Sequence, residues 1–194
     1  MNKIKFWGRK LFVLPVVNLL IKMEIPPNVI TILSLAIGIF VFFIYKTGKF
    51  WLGAIFLFFS SIFDTFDGEI ARQTNKVTKF GGFLDSTIDR VNEFLVYLGL
   101  FSYYYHRIDY ALYWVVFALF GSIMVSYTRA RGEGLGISPQ VGIFERFIRL
   151  LFLIVGSFFG PRIMIYVLVI ITFGTLQTSL QRIFYLLKNS RPID

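Results

Sequence analysis

Cysteine is absent from the 194 residues, which excludes a disulfide framework, a thiolate metal site and a cysteine nucleophile. Histidine occurs once, at His106, so no catalytic arrangement built on two imidazoles is available. Charge is scarce: 16% of residues are Asp, Glu, Lys or Arg, against about a quarter in a soluble domain. That is too few to cover a core of this size. A soluble globular domain, a disordered chain and a nucleic-acid binder with a polar surface are all excluded. No period of about 20–50 residues recurs, which excludes a solenoid. What is present is apolar matter: 56% hydrophobic residues, 19% aromatic, 24 of them Phe, and a mean hydropathy of +0.70. Most of this chain is dissolved in lipid.

A spanning helix needs about 20 mostly apolar residues. Six segments qualify, at 28–47, 50–72, 81–105, 108–131, 143–160 and 163–187. The expected fold is therefore an all-α integral membrane protein, with a six-helix transmembrane bundle over 28–187. Residues 1–194 form one domain, because no composition shift or linker divides them. Pro26-Pro27-Asn28 marks the first boundary, with Asn28 placed to cap the helix that follows.

Before it, Lys3, Lys5, Arg9 and Lys10 flank Phe6, Trp7 and Phe12, and the run Leu11–Ile21 is broken by Pro15 and Asn18. No A-x-A-like cleavage site follows, so residues 1–25 read as an interfacial amphipathic helix rather than a signal peptide. With six spans both termini share one face. That face takes sixteen of the 20 basic residues, while Lys46, Lys49, Arg107 and Arg162 fall on the other. The positive-inside rule puts both termini in the cytoplasm and the chain in the inner membrane.

Six of the 11 acids lie between Asp64 and Glu93. The apolar run 50–63 gives only ~21 Å of helix, too short for a ~30 Å core, so this helix must continue through Asp64, Asp67 and Gly68 to Arg72. The third span likewise starts near Gly81. At ~100° per residue, Asp64, Asp67, Gly68 and Ala71 share one stripe, and Asp85 and Asp89 stand one turn apart on another. Four carboxylates facing lipid would cost several kcal/mol each. Salt bridges to nearby Arg are the bland account. Two divalent cations neutralise the set more completely, and an all-oxygen shell suits Mg²⁺, Mn²⁺ or Ca²⁺. Gly68 and Ala71 leave room for a ligand on the same stripe, and Arg72 at its flank is placed to pair with phosphate.

The residues Asp64-x2-Asp67-Gly68-x2-Ala71-Arg72-x8-Gly81-x3-Asp85-x3-Asp89 match at every fixed position the signature of the CDP-alcohol phosphotransferases, and the chain resembles that family over essentially its whole length. The resemblance implies a two-metal phosphoryl transfer with Mg²⁺ or Mn²⁺ at the cytoplasmic face, in which the hydroxyl of a small alcohol attacks a CDP-activated lipid and CMP is released. It implies metal ligation by Asp64, Asp67, Asp85 and Asp89, with Asp89 also the general base. Asp67, Gly68, Ala71, Arg72 and Gly81 would contact the CDP moiety. It also implies a homodimer. His106 falls at the opposite face, in an ordinary interfacial role.

The second half carries Ser126-Tyr127-Thr128-Arg129-Ala130-Arg131-Gly132-Glu133 and then Glu145-Arg146-Phe147-Ile148-Arg149, with Arg182 on the last span. Each arginine serves equally well as a positive-inside anchor; as a group they suit an anionic acceptor such as a phosphomonoester. The stretch is similar to the phosphatidylinositol-phosphate and archaetidylinositol-phosphate synthase branch, by which Arg129, Arg131, Arg149 and Arg182 would hold the phosphate of inositol phosphate. The chain departs from that branch at Gly132, where Ala is usual, and at Phe147-Ile148, often polar. Glycerol phosphate, the acceptor of a phosphatidylglycerophosphate synthase, would satisfy the same basic pocket. A divalent-cation transporter is the rival from another class; it would place acids at the midplane of several broken helices, whereas here they keep to one end of two.

Overall fold

The computed structural model describes residues 13–190, all helix and connections. Among them are seven helices and no strand: α1 (Leu14–Lys22), α2 (Pro27–Lys46), α3 (Phe50–Gln73), α4 (Lys79–Tyr104), α5 (Asp109–Gly134), α6 (Arg146–Phe158) and α7 (Pro161–Asn189). Four of these, α2, α3, α5 and α7, are long and apolar enough to cross a membrane. The other two expected spans fall short for different reasons. Helix α4 has the length, but Lys79, Asp85, Asp89, Arg90 and Glu93 crowd its first half. Helix α6 has only 13 residues, because 143–145 and 159–160, expected at its two ends, are not helical. The basic and aromatic residues of 1–12 lie outside the described residues; the part of the expected interfacial helix that is described, α1, exposes Val16 and Leu19 and buries Val17.

The described residues pack as two compact units, each discontinuous in sequence, one of residues 13–41 with 56–95 and the other of 42–55 with 96–190. In the first, Val17 of α1 packs with Ile30 of α2 and with Phe66 and Ile70 of α3. Burial of such side chains contributes about 1.5–3 kcal/mol each relative to exposure in water. Asn28, expected as a cap, falls inside the first turn, since Pro27 begins α2 and the Pro26 carbonyl already accepts from the Val29 amide at 3.0 Å.

The second unit is joined by tyrosine hydroxyls and small residues. Tyr45 and Ser157 share a 2.7 Å hydrogen bond, Tyr97 and Ser122 one of 3.0 Å, and Tyr104 donates to the Pro161 carbonyl at 2.5 Å. A Cβ on Gly121 would collide with Thr175, so α5 and α7 approach through small side chains. Close backbone approach of this kind drives helix association where lipid removes the hydrophobic incentive. His106 lies in the turn after α4, in the left-handed region (φ 60), and is exposed beside the Tyr105 ring.

Candidate active site

The connection between α3 and α4 is shaped by two end motifs. Asn75 takes a left-handed conformation (φ 52), and the Lys76 amide returns to the Ala71 carbonyl at 2.9 Å, an arrangement that closes a helix C-terminus. Thr78 then caps α4, its hydroxyl accepting from the Gly81 amide at 2.9 Å. The chain thus reverses within a few residues and brings the motif-bearing ends of α3 and α4 together.

Oxygen atoms of Asp64, Asp85 and Asp89, one from each, lie within 4.8 Å of one another. These three carboxylates fit a cation: the donors are hard oxygens, their spacing suits ligands around one centre, and their combined negative charge calls for a positive one. Asp89 is buried, with Arg90 Nη1 3.4 Å from its Oδ2. Asp67, expected in the same ligand set, stands outside that trio. It is 5% exposed; its Oδ2 accepts from the Thr31 hydroxyl at 2.6 Å, and its Oδ1 from the Gly68 amide at 2.5 Å.

Beside the trio lies a cavity of about 330 Å³, lined in part by Asp67, Gly68, Ala71, Arg72, Gly81 and Asp85. Every residue expected at the CDP moiety is in this wall, and Asp85 belongs to both cavity and trio. Glycine at 68 and 81 keeps the wall low: a Cβ at Gly68 would meet the Arg72 guanidinium at 3.3 Å. Four further lining residues, Asn28, Thr31, Lys76 and Thr78, carried no sequence signal for such a place. Arg72 is exposed and paired at 3.0 Å with the buried carboxylate of Glu69, which also accepts from Gln73; no sequence spacing marks Glu69 for this place.

The four arginines expected at the acceptor belong to the second unit and fall into two kinds. Arg129 is exposed and paired with Glu133 at 2.9 Å, and Arg131 is exposed. Arg149 and Arg182 are 0% and 1% exposed. Arg182 donates from Nε to the Val141 carbonyl (3.0 Å), from Nη1 to the Val125 carbonyl (2.6 Å) and from Nη2 to Glu145 (3.2 Å). Arg149 donates to the Phe144 carbonyl at 2.9 Å. Both therefore satisfy backbone carbonyls of the non-helical stretch before α6, a need that arises wherever a chain leaves its helix away from water. Arg129 and Arg149 are still near enough for their charges to bear on Arg182. At Gly132, where the chain departs from the branch, a Cβ would sit 2.9 Å from the Ile137 carbonyl and the Pro139 ring. The tight return of the chain over the end of α5 accounts for the glycine.

The family model for CDP-alcohol phosphatidyltransferase matches residues 24–181. An archaetidylinositol phosphate synthase of Methanothermobacter thermautotrophicus is 33% identical over 168 residues, covering 84% of this chain and 84% of the relative. The crystal structure of the Mycobacterium tuberculosis phosphatidylinositol phosphate synthase with CDP-DAG bound aligns with a TM-score of 0.86 at 26% identity, over 94% of this chain and 99% of that one. The same enzyme in complex with manganese and citrate aligns at 0.85 and 25% identity, over 92% of each chain.

Proposed function

Since the chain belongs to the CDP-alcohol phosphatidyltransferase family, we propose that it moves a phosphatidyl-type group from a CDP-activated lipid to the hydroxyl of a small phosphorylated alcohol, inositol phosphate in the first instance. CMP is the leaving group. The observation that carries the reading is the contact of two features in one unit: three carboxylates at metal-ligand spacing, and a cavity walled by the residues that the family signature assigns to the nucleotide.

Asp64, Asp85 and Asp89, joined by Asp67, would hold two Mg²⁺ or Mn²⁺ ions. When bound, such ions neutralise the diphosphate and the charge that develops as CMP departs. The chain's own groups do the rest. Arg72 reaches the diphosphate from the rim of the cavity, and Gly68 and Gly81 let the nucleotide lie against the helices. Asp89 accepts the proton of the alcohol hydroxyl; the freed oxygen attacks the lipid-side phosphorus, and the bond to the CMP oxygen breaks.

Arg129, Arg131, Arg149 and Arg182 form the acceptor end in this reading, with the exposed pair Arg129 and Arg131 meeting the phosphate and the buried pair holding the backbone behind them. Glycerol phosphate is the alternative acceptor, favoured by nothing beyond its phosphate. We take residues 1–194 as one six-span domain with an interfacial N-terminal helix, working as a homodimer with both termini and the site at the cytoplasmic side. The basic residues at the α3–α4 end, Arg72, Lys76 and Lys79, support that orientation.

The test is CMP release from a CDP-lipid by purified protein supplied with inositol phosphate, glycerol phosphate, serine or inositol in turn. Release with inositol phosphate that is lost on chelation and restored by Mg²⁺ or Mn²⁺ is expected. Preference for glycerol phosphate would move the enzyme to the alternative acceptor. Absence of CMP with every alcohol, alongside metal flux into vesicles, would defeat the enzyme reading altogether.

A further inference from the structure

We infer that Thr31, on α2, is a positioning residue for Asp67, fixing through its hydroxyl the carboxylate that faces the nucleotide cavity. The inference rests on the role of Asp67 proposed above. Thr31 is 4% exposed, and its hydroxyl lies 2.6 Å from Asp67 Oδ2 and 3.3 Å from the Pro27 carbonyl. One proton serves only one of these well. The shorter contact, to an anionic oxygen, is the charge-assisted bond, so the side chain is turned from the helix's own carbonyl toward α3.

With the Gly68 amide on Oδ1, each oxygen of Asp67 has a donor that sets its plane. An ionised carboxylate offers about four lone-pair sites, so such donors and a ligand can share one. The turn bearing Thr31 is itself held: Ser34 donates to the Thr31 carbonyl at 2.7 Å and accepts from the Asn92 amide of α4 at 3.3 Å. Asn92 reaches that position across Gly38, where any Cβ would collide with its amide oxygen. Ser34 and Asn92 are both buried. A chain of donors and acceptors therefore runs from α4 through α2 to a carboxylate on α3, tying together the three helices that build the cavity.

Partners that orient a ligand from behind are typically worth 10–100-fold in metal affinity or activity. Full-length protein in detergent is titrated with Mn²⁺ alone and then with CDP, comparing wild type, Thr31→Val and Thr31→Ser. Thr31→Val keeps the shape and removes the donor; it should weaken Mn²⁺ or CDP binding about 10–100-fold with helical content unchanged. Thr31→Ser, which keeps the hydroxyl, should stay within a few-fold of wild type. A role in helix packing alone would leave both affinities of the folded fraction unmoved. If Thr31→Val loses its helical content, Thr31→Ala takes its place and the same loss is expected. Affinities for Mn²⁺ and CDP that match wild type in the variant lacking the hydroxyl, or equal impairment in Thr31→Ser, overturn the inference. A wild-type protein that binds no Mn²⁺ overturns the metal reading beneath it, and this outcome is distinct from the other two.

Discussion

The buried carboxylate of Glu69 holds the exposed guanidinium of Arg72 at 3.0 Å, one helical turn along α3. Arg72 lines the cavity together with Gly68 and Ala71, and Glu69 stands behind it, buried. Glu69 is thus placed to aim Arg72, restricting a long side chain that would otherwise sample many rotamers.

Glu69→Gln should therefore raise KM for the CDP-lipid about fivefold, on the order of 1 kcal/mol for a pair with one solvated partner, and leave KM for the alcohol unchanged. Steady-state kinetics with each substrate varied in turn decides it. An unchanged KM for the CDP-lipid would mean that Arg72 needs no guide.

Asp89→Asn preserves volume and removes the proton acceptor. Turnover is expected to fall by about 10²–10⁴-fold, the usual weight of a general base, while CDP-lipid binding stays measurable by equilibrium titration. Near-wild-type turnover would take Asp89 out of the base role.

Arg131 is exposed, whereas Arg182 is enclosed by backbone carbonyls. Arg131→Ala should raise KM for the phosphorylated acceptor about tenfold or more, the loss of a charge-assisted hydrogen bond, and hardly alter KM for the CDP-lipid. Equal effects on the two constants would dissolve the acceptor pocket.

Arg182→Gln should instead act on stability. It removes donors from which the Val125 and Val141 carbonyls accept, while the exposed Glu145 carboxylate can turn to water; an acceptor left unsatisfied costs about 1–3 kcal/mol. Thermal unfolding in detergent should register a clear fall in Tm. A variant of unchanged Tm but lost acceptor affinity would restore Arg182 to direct phosphate binding.

Gly142 has a positive φ of 98, and a Cβ there would collide with Thr178. Gly142→Ala should cost about 1–3 kcal/mol, the range for a side chain forced into a sparsely populated conformation, and lower Tm by several degrees. If Tm holds, the 141–145 stretch is looser than its hydrogen bonds indicate.

How much of this was legible in the sequence varies by element. Apolar length announced α2, α5 and α7, whereas α3 reaches a spanning length only by carrying its helix on through Asp64 and Asp67 to Arg72. The carboxylates and small residues of the site were readable from spacing, since helical phase places Asp85 and Asp89 on one face without any tertiary knowledge. Thr31 was not readable: a threonine in an apolar helix usually bonds its own i−4 carbonyl, and its turn toward Asp67 depends on how two helices meet. The shortness of α6 was hidden for a related reason. Val141 through Glu145 contains nothing that forbids a helix; what holds it out of one is the pair of arginines on its carbonyls and Thr178, whose hydroxyl accepts from the Phe144 amide at 3.1 Å. For Arg149 and Arg182 the sequence supplies the charge but not the hydrogen bonds to the Phe144, Val141 and Val125 carbonyls, because a lone sequence does not show which oxygen a guanidinium faces.

The three-pronged grip of Arg182 has a practical corollary for anyone redesigning the enzyme. Its carbonyl partners lie 57 and 41 residues upstream, so the spacer between Val125 and Glu145 is cut to length. Transplanting that spacer from a homologue with a different alcohol preference would have to reproduce where its carbonyls land. A graft one residue too long would leave the cation stranded among greasy neighbours, and misfolding would masquerade as altered selectivity.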